Sequence, residues 1–531
     1  MSADLTLPAF VDRQLEKSGD KPAIFYGETA MSYAELSRLS RIVARSFADL
    51  GVRRGDRVAV WLPNIPAWHI CLLACSRLGA AVVALNTRFR SAELAEILGR
   101  ADAKILVLWP DFRGIDFVPV LEECDKAALD SIKTYLCYSE GGVCPDKVRG
   151  KPAYSWQQVI AQSERDQDDS TPESGCVIFS TSGTTSAPKL GVHTQQSICR
   201  HAIDTVNSFG YDAADAAIMV ATPMCGTSGF GMGVAGLAAG RPQIVAPLFD
   251  EVETARLISE QRVTHMHATH HILRCLFAAV PENNNTLSTL RLVNCGSGAP
   301  AMVEMANKRG ICVVGIYGST EVQARFSRQA EALPLHERGV AGGRPLSDEA
   351  VVRARSLDSG RILPHGEDGE LEIKAPSMIA QYLANAEANR RAFTEDRFVR
   401  TGDLGHTLSD GRFVFISRIG DVLRLSGFLV SPIQIERVIE EYPSIEACQI
   451  VGIEVTGNLR PFAFVRIKTG HGFDESQLTA YCRQKMAPYK TPVAFHRLDQ
   501  FPVTEGPNQT KVQKAKLREM AGAIMAGKSS H

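Results

Sequence analysis

The stretch IFSTSGTTSAPKLGVHT, Ile178 to Thr194, sets four Thr, three Ser and two Gly around a single lysine, Lys189. Ser, Thr and Gly favour loops, so one reading is a flexible linker. The other is a loop that wraps a polyphosphate. Gly175 to Ser180 has the pattern of a buried strand and Gln195 to Phe209 that of a helix. A Gly/Ser/Thr loop between strand and helix presents backbone N–H groups and hydroxyls to an anion, and Lys189 adds a full positive charge. It is not a Walker loop: at the spacing of the second glycine stands Pro188, and Leu190 follows Lys189 in place of Ser or Thr.

The whole chain narrows the setting. Its 531 residues, 45% hydrophobic and 22% charged, have globular composition and length for more than one core. A formal net charge of -1 gives no global field to favour nucleic acid or an anionic membrane. MSADLTLPAF has neither a basic n-region nor an apolar h-region, so no secretory signal is expected. Apolar stretches such as Val234 to Ala239 fall far short of the ~20 residues of a membrane helix. Thirteen Cys include no CxxC pair and no zinc-like spacing with His, which fits packing as small hydrophobes in a reducing cytoplasm. Cys71 and Cys75, four apart in an apolar segment, read as one buried helix face.

Helical and strand patterns alternate to about residue 415, which predicts parallel α/β layers. Ser32-Tyr-Ala-Glu35 reads as a capping box opening a helix, and Arg57 to Leu62 and Lys104 to Trp109 as strands. From Arg400 the character changes. Ser409-Asp-Gly411 reads as a hairpin turn, and Arg418-Ile-Gly-Asp421 as a short joint. A helix from Pro432 to Tyr442, strands Cys448 to Ile453 and Phe462 to Ile467, and a helix from Glu475 to Met486 make a small α+β domain. The division is placed at 420.

Four further segments join TSGTTSAPK in one order: GSGAP (Gly296 to Pro300), YGSTE (Tyr317 to Glu321), RTGD (Arg400 to Asp403) and SRIGDVLRLSGFLVSPIQIE (Ser417 to Glu436). Together they resemble the adenylate-forming superfamily of acyl-CoA synthetases, aryl-CoA ligases, luciferases and peptide-synthetase adenylation domains. The resemblance runs from the GDRV segment at Gly55 to Lys511. It implies an α/β fold: an N-terminal AMP-binding domain of layered mixed sheets and helices (1–419), and a small mobile α+β domain (420–531) carrying a catalytic lysine. It also implies the chemistry. A carboxylate lacks a good leaving group, so it attacks the α-phosphorus of ATP, giving an acyl-adenylate and pyrophosphate; a thiol, usually that of CoA, then displaces AMP.

By that resemblance Thr181, Ser182, Gly183, Thr184, Thr185 and Lys189 cradle the β- and γ-phosphates. Thr320 donates to the α-phosphate and Glu321 holds Mg²⁺, a hard cation suited to carboxylate and phosphate oxygens. Gly296, Ser297, Gly298, Ala299 and Pro300 form a wall against adenine, with Tyr317 on the other face and Gly318 and Ser319 beside it. Asp403 accepts the ribose hydroxyls, and Arg418 reaches the ribose or the phosphates. Read singly, Tyr317 could equally be a core aromatic, Glu321 an acid at a helix N-terminus and Asp403 a turn residue.

The tail FPVTEGPNQTKVQKAKLRE holds Pro502 and Thr504, then extra residues before Lys511, which best follows the family's catalytic-lysine pattern; Lys514 and Arg518 are expected on a solvated helix face. Between Lys485 and Arg518 stand seven Lys/Arg against two Asp/Glu, a locally basic run that suits ATP or CoA phosphates. The phosphate loop departs from the family at Ser186 and Leu190, where glycine is usual, and Gly191 could take the second role.

ATPMCGTSGFGMG, Ala221 to Gly233, puts Cys225 and Gly226 where relatives often carry an aromatic or His lining the acyl pocket. It reads either as a flexible turn or as a pocket widened by missing side chains. In the second case Met224, Cys225, Gly226, Phe230 and Val322 line it, for a fatty, alicyclic or aryl acid. At the joint, Gly420 suits a hinge. Partners are then the acid, ATP and CoA, with the chain a monomer or homodimer; loading of a carrier protein in trans is the alternative to CoA.

Overall fold

The computed structural model describes residues 5–141, 144–181, 188–296, 300–425, 428–455, 458–505 and 510–528. The chain forms two compact units, residues 1–352 with 373–400, and residues 353–372 with 401–531.

Two sheets frame the first unit. One has a parallel centre: Arg57–Trp61 lies between Ala81–Ala84 and Ile105–Leu108, and Ala81–Ala84 also pairs with β1 (Gly175–Ser180). These strands are apolar and buried on both faces, as parallel strands covered by helices must be. Helix Pro66–Arg77, which links two of them, is buried on all sides, Cys71 and Cys75 included. Beyond β1 the sheet turns antiparallel, to β2 (Leu190–Thr194) and then Gln381–Tyr382.

The other sheet runs parallel through Pro22–Tyr26, Gln243–Val245, Ile218–Val220, β3 (His265–Ala268), β4 (Leu292–Gly296) and β5 (Cys312–Ser319). It reverses at β6 (Gln323–Arg328), which pairs antiparallel with β5 and with Gly342–Pro345. Between the sheets pack α1 (Gln195–Phe209) and α2 (Thr227–Ala239), and α2 also packs on β6.

Local signals fix the ends of these elements. Ser32 Oγ accepts from Glu35 N–H, opening helix Tyr33–Asp49. Thr194 caps α1 by accepting from Ser197 N–H, and Gly210, at φ 69°, closes it in the left-handed conformation.

Two expectations are corrected. The Ser/Thr/Gly loop does not join a strand to a helix: β2 intervenes, pairing Leu190 with Ser180 and His193 with Val177, so the loop closes a β-hairpin. Leu190 is a core side chain, buried beneath the sheet. The Gly-rich segment after Ala221 is not a flexible turn, because most of it is helix α2. A Cβ at Gly229 would lie 2.2 Å from Thr222 O, one at Gly231 2.3 Å from Arg325 Nη2, and one at Gly236 2.6 Å from Gln243 Cγ. These three glycines admit backbone and long polar side chains to the helix surface.

In the second unit β7 (Val399–Thr407) and β8 (Phe413–Arg418) form an antiparallel hairpin that turns at Gly411, φ 84°. A 3₁₀ turn follows at Ile419–Asp421. Helix Pro432–Glu440 packs on the long hairpin of Ile445–Val455 and Asn458–Ile467, Phe495–Arg497 adds a parallel strand, and helices Glu475–Lys485 and Lys514–Lys528 complete two small cores.

Candidate active site

In the first unit, the β1–β2 hairpin, the β5–β6 turn and the edge strand Gln381–Tyr382 converge. Thr181 and Lys189 close the base of the phosphate loop: Thr181 N–H donates to Lys189 O at 2.8 Å, and Lys189 N–H to Thr181 Oγ1 at 3.1 Å. Ser182, Gly183, Thr184 and Thr185 lie outside the described residues, as do Ser297, Gly298 and Ala299. The Lys189 ammonium stands 5.1 Å from the centre of the Tyr382 ring, a cation–π distance.

Thr320 and Glu321 occupy the turn between β5 and β6. Ser319 Oγ accepts from Glu321 N–H at 3.1 Å, and the Tyr382 hydroxyl donates to Glu321 Oε1 at 2.6 Å. Gly191 explains how two strands come so close here: a Cβ there would sit 3.2 Å from Ile379 Cγ2 and 3.3 Å from Thr320 Cγ2. Tyr382 carries no motif and was missed in the sequence. Its available signal was its pairing partner, β2, beside the phosphate loop.

His193 on β2 ties the turn down from below. Burial pushes its pKa to about 4, so the ring is neutral. Its Nε2 lies 2.8 Å from Thr320 O and its Nδ1 3.1 Å from Gln323 Nε2. The consistent tautomer donates from Nε2 to the carbonyl and accepts at Nδ1. Gln323 is buried with φ 75°, an uncommon conformation for a non-glycine residue, held where its carbonyl crowds Gly318. Tyr317 is buried on β5, edge-on to Phe326 at 6.4 Å, and Gly296, at the end of β4, pairs with Ile316 beside it. Pro300 opens helix Pro300–Lys308.

The expected acyl-pocket residues Met224, Cys225, Phe230 and Val322 are all buried. Phe230 meets Trp68 at 5.9 Å and Phe179 at 5.2 Å, both edge-on. Burial pushes the Cys225 thiol up to about 12, which leaves it unreactive. Gly226 is the N-cap of α2.

In the second unit Asp403 on β7 faces Arg418 on β8 as a cross-strand pair. Arg418 Nε is 3.0 Å from Asp403 Oδ1, and Arg418 Nη1 donates to Thr401 O at 2.8 Å. Asp403 is only 2% exposed. Gly420 sits in the 3₁₀ turn, where a Cβ would meet nothing within 4 Å. Lys511 lies on the short strand Thr510–Val512, opposite Thr504. Lys514 is not on a solvated face: its Nζ is 3.0 Å from Glu436 Oε1, and both side chains are largely buried. Arg518 pairs with Asp421 at 3.2 Å.

The family model described as AMP-binding enzyme matches residues 11–383, and that of the AMP-binding enzyme C-terminal domain matches residues 434–506. The chain belongs to this family of AMP-binding enzymes. It is 28% identical over 97% of its length, and 99% of the relative's, to the 3-[(3aS,4S,7aS)-7a-methyl-1,5-dioxo-octahydro-1H-inden-4-yl]propanoyl:CoA ligase of Mycobacterium tuberculosis. It is 27% identical to the feruloyl-CoA synthase of an Amycolatopsis species, over 96% of its length and 98% of the relative's. The structure of ATP-bound MatB from Rhodopseudomonas palustris shares its fold, with a TM-score of 0.85 at 23% identity over 99% of this chain and 100% of that one. Among the described residues no helix is long and apolar enough to cross a membrane.

Proposed function

We propose that this protein is an ATP-dependent acid–CoA ligase. The observation that carries the reading is the convergence of Lys189, Thr320 and Glu321, locked by Tyr382 and His193, in a chain of the AMP-binding enzyme family. The acid's carboxylate oxygen attacks the α-phosphorus of ATP and pyrophosphate leaves with the electron pair of the broken P–O bond. The CoA thiol, losing its proton, then attacks the acyl carbon and AMP leaves.

Each residue has a task in this reading. Lys189 and the hairpin loop neutralise the β- and γ-phosphates, and Thr320 donates to the α-phosphate. Asp403 takes the ribose hydroxyls beside Arg418. Lys511 offsets negative charge as pyrophosphate departs. Gly420 is the hinge of a mobile domain, 420–531.

Glu321 fits Mg²⁺. Its carboxylate is a hard oxygen donor with Oε1 steadied by Tyr382, and among the described residues no group of three or more His, Cys, Asp or Glu forms a closed cage. Mg²⁺ typically takes one or two carboxylates and fills its shell with phosphates and water. When bound it supplies charge screening on the phosphates. The unpaired cysteines, most of them buried, favour a reducing cytoplasm.

The test is a panel of fatty, alicyclic and aryl acids with ATP and Mg²⁺, read as pyrophosphate release, then with CoA added, read as AMP and thioester. Pyrophosphate without thioester would move the acceptor from CoA to another thiol. No pyrophosphate with any acid would overturn the reading.

A further inference from the structure

Arg325 lies on β6, four residues past Glu321, and is fully buried. Side chains alternate along a strand, so Gln323 and Arg325 share the face on which α2 packs. The guanidinium makes one hydrogen bond, from Nη1 to the carbonyl of Ser228 at 3.0 Å. Nε and Nη2 have no hydrogen-bond partner among the described residues. No Asp or Glu pairs with it there.

What surrounds Arg325 is polar but neutral. His201 and His267 are both deprotonated, burial driving their pKa down and the Arg325 charge adding to the effect; His267 falls to about 3. The Nε2 of His201 also lacks a partner among the described residues, and His267 Nδ1 is 2.6 Å from Asn294 Oδ1. Ser228 belongs to the first turn of α2, where the helix dipole is positive and favours an anion. Helix α2 gives up a side chain at Gly231 to let Nη2 in. A buried cation without a counter-charge is a costly arrangement, and here a helix N-terminus adds to the positive potential.

We propose that Arg325 is a specificity-determining residue that holds a second carboxylate of the acid, remote from the one that is activated. This rests on the ligase reading above. The complement to a buried guanidinium with two free donors is a carboxylate, which accepts both at once. Extended backbone puts Arg325 at most about 13 Å from Glu321 in the turn before β6, so one medium-sized acid can reach from Arg325 to the α-phosphate proposed to lie beside Thr320. The substrate class becomes an acid with an apolar middle and an anionic far end, rather than a simple fatty or aryl acid.

Pairs of acids of equal length decide it: hexanoate with adipate, octanoate with suberate, decanoate with sebacate, assayed for pyrophosphate and AMP. At one length or more the wild type should prefer the diacid at least tenfold in kcat/KM. Arg325→Met should abolish that preference while changing kcat/KM for the monoacid less than threefold, and Arg325→Lys should keep part of it. Gly231→Ala, which intrudes on Nη2, should cut the diacid more than the monoacid and covers the case in which Arg325→Met does not fold. Equal wild-type use of monoacid and diacid at every length, equal loss of both in the variants, or retained preference in Arg325→Met would overturn the proposal. If no acid of either kind yields pyrophosphate, the ligase reading itself has failed.

Discussion

The Tyr382 hydroxyl donates 2.6 Å to Glu321 Oε1 while Lys189 stands over the same ring, so one side chain touches both the acid proposed to hold Mg²⁺ and the lysine proposed to meet the phosphates. A hydrogen bond to a charged group is worth about 1.5–3 kcal/mol. Tyr382→Phe should slow pyrophosphate release by roughly ten- to a hundredfold if the whole of that is spent in the transition state, and raise the Mg²⁺ concentration for half-maximal rate. An unaltered Mg²⁺ titration would separate Tyr382 from the metal site.

Glu321→Gln removes the charge and keeps the shape. Pyrophosphate release should fall at least tenfold, since screening of phosphate charge is worth kilocalories. Near wild-type release with unchanged Mg²⁺ dependence would remove Glu321 from the metal site, whatever Tyr382→Phe does.

Gly191→Ala tests the close approach of strand and turn. The added methyl would stand 3.2–3.3 Å from Ile379 and Thr320, tighter than ordinary contact. The hairpin should shift from Thr320, with KM for ATP rising several-fold and Tm falling by a few degrees. Wild-type values of both would show that the turn tolerates the methyl.

How much of this was legible depended on the length of each signal. The bounds of β1 and α1 stand in the sequence because Thr194 and Gly210 mark both helix ends chemically. β2 was not seen, since Leu190-Gly-Val-His-Thr is too short and too mixed to show a period of two. α2 was hidden by its glycines, which weaken helix propensity and whose reason is long-range: Thr222, Arg325 and Gln243 press against them. Arg325 itself stands outside every motif of the sequence. Only the packing of α2 on β6 shows that its face of the strand is interior.

Acid should unfold the first unit. His193, His265 and His267 are held at about 4, 4 and 3 by burial, against 6.5 when exposed. Between those values the unfolded chain binds protons that the folded chain does not, so stability is present above pH 6.5 and is lost as pH falls toward 4. Tm should drop steadily from pH 7 to pH 5. His267→Gln, which can still meet Asn294, should flatten that slope. A Tm independent of pH over this range would mean that the rings are hydrated and titrate normally.

The lysine of the tail is decided by comparing two neighbours. Lys514 is occupied: its ammonium pairs with Glu436, whose Oε1 also accepts from Ile450 N–H within the second unit's core. Removing it strands a largely buried carboxylate, which costs up to about 3 kcal/mol at the low end for buried pairs. Lys514→Ala should therefore lower the unfolding temperature of that unit and leave adenylation by the folded protein largely intact. Lys511, on the short strand opposite Thr504, has the reverse expectation. Its charge is proposed to act only as pyrophosphate departs, so Lys511→Ala should cripple pyrophosphate release without loss of stability. Given pre-formed acyl-adenylate and CoA, it should still yield thioester at near the normal rate. Gly420→Ala adds a control on the joint: the turn seen here has room for a methyl, so stability should hold, and a loss confined to one half-reaction would mark a second joint conformation that needs glycine. If Lys514→Ala instead abolishes adenylation while Lys511→Ala is normal, the catalytic lysine lies three residues further along, and the Glu436 pair must open in the reaction. If both variants adenylate normally, the second unit does not supply the lysine.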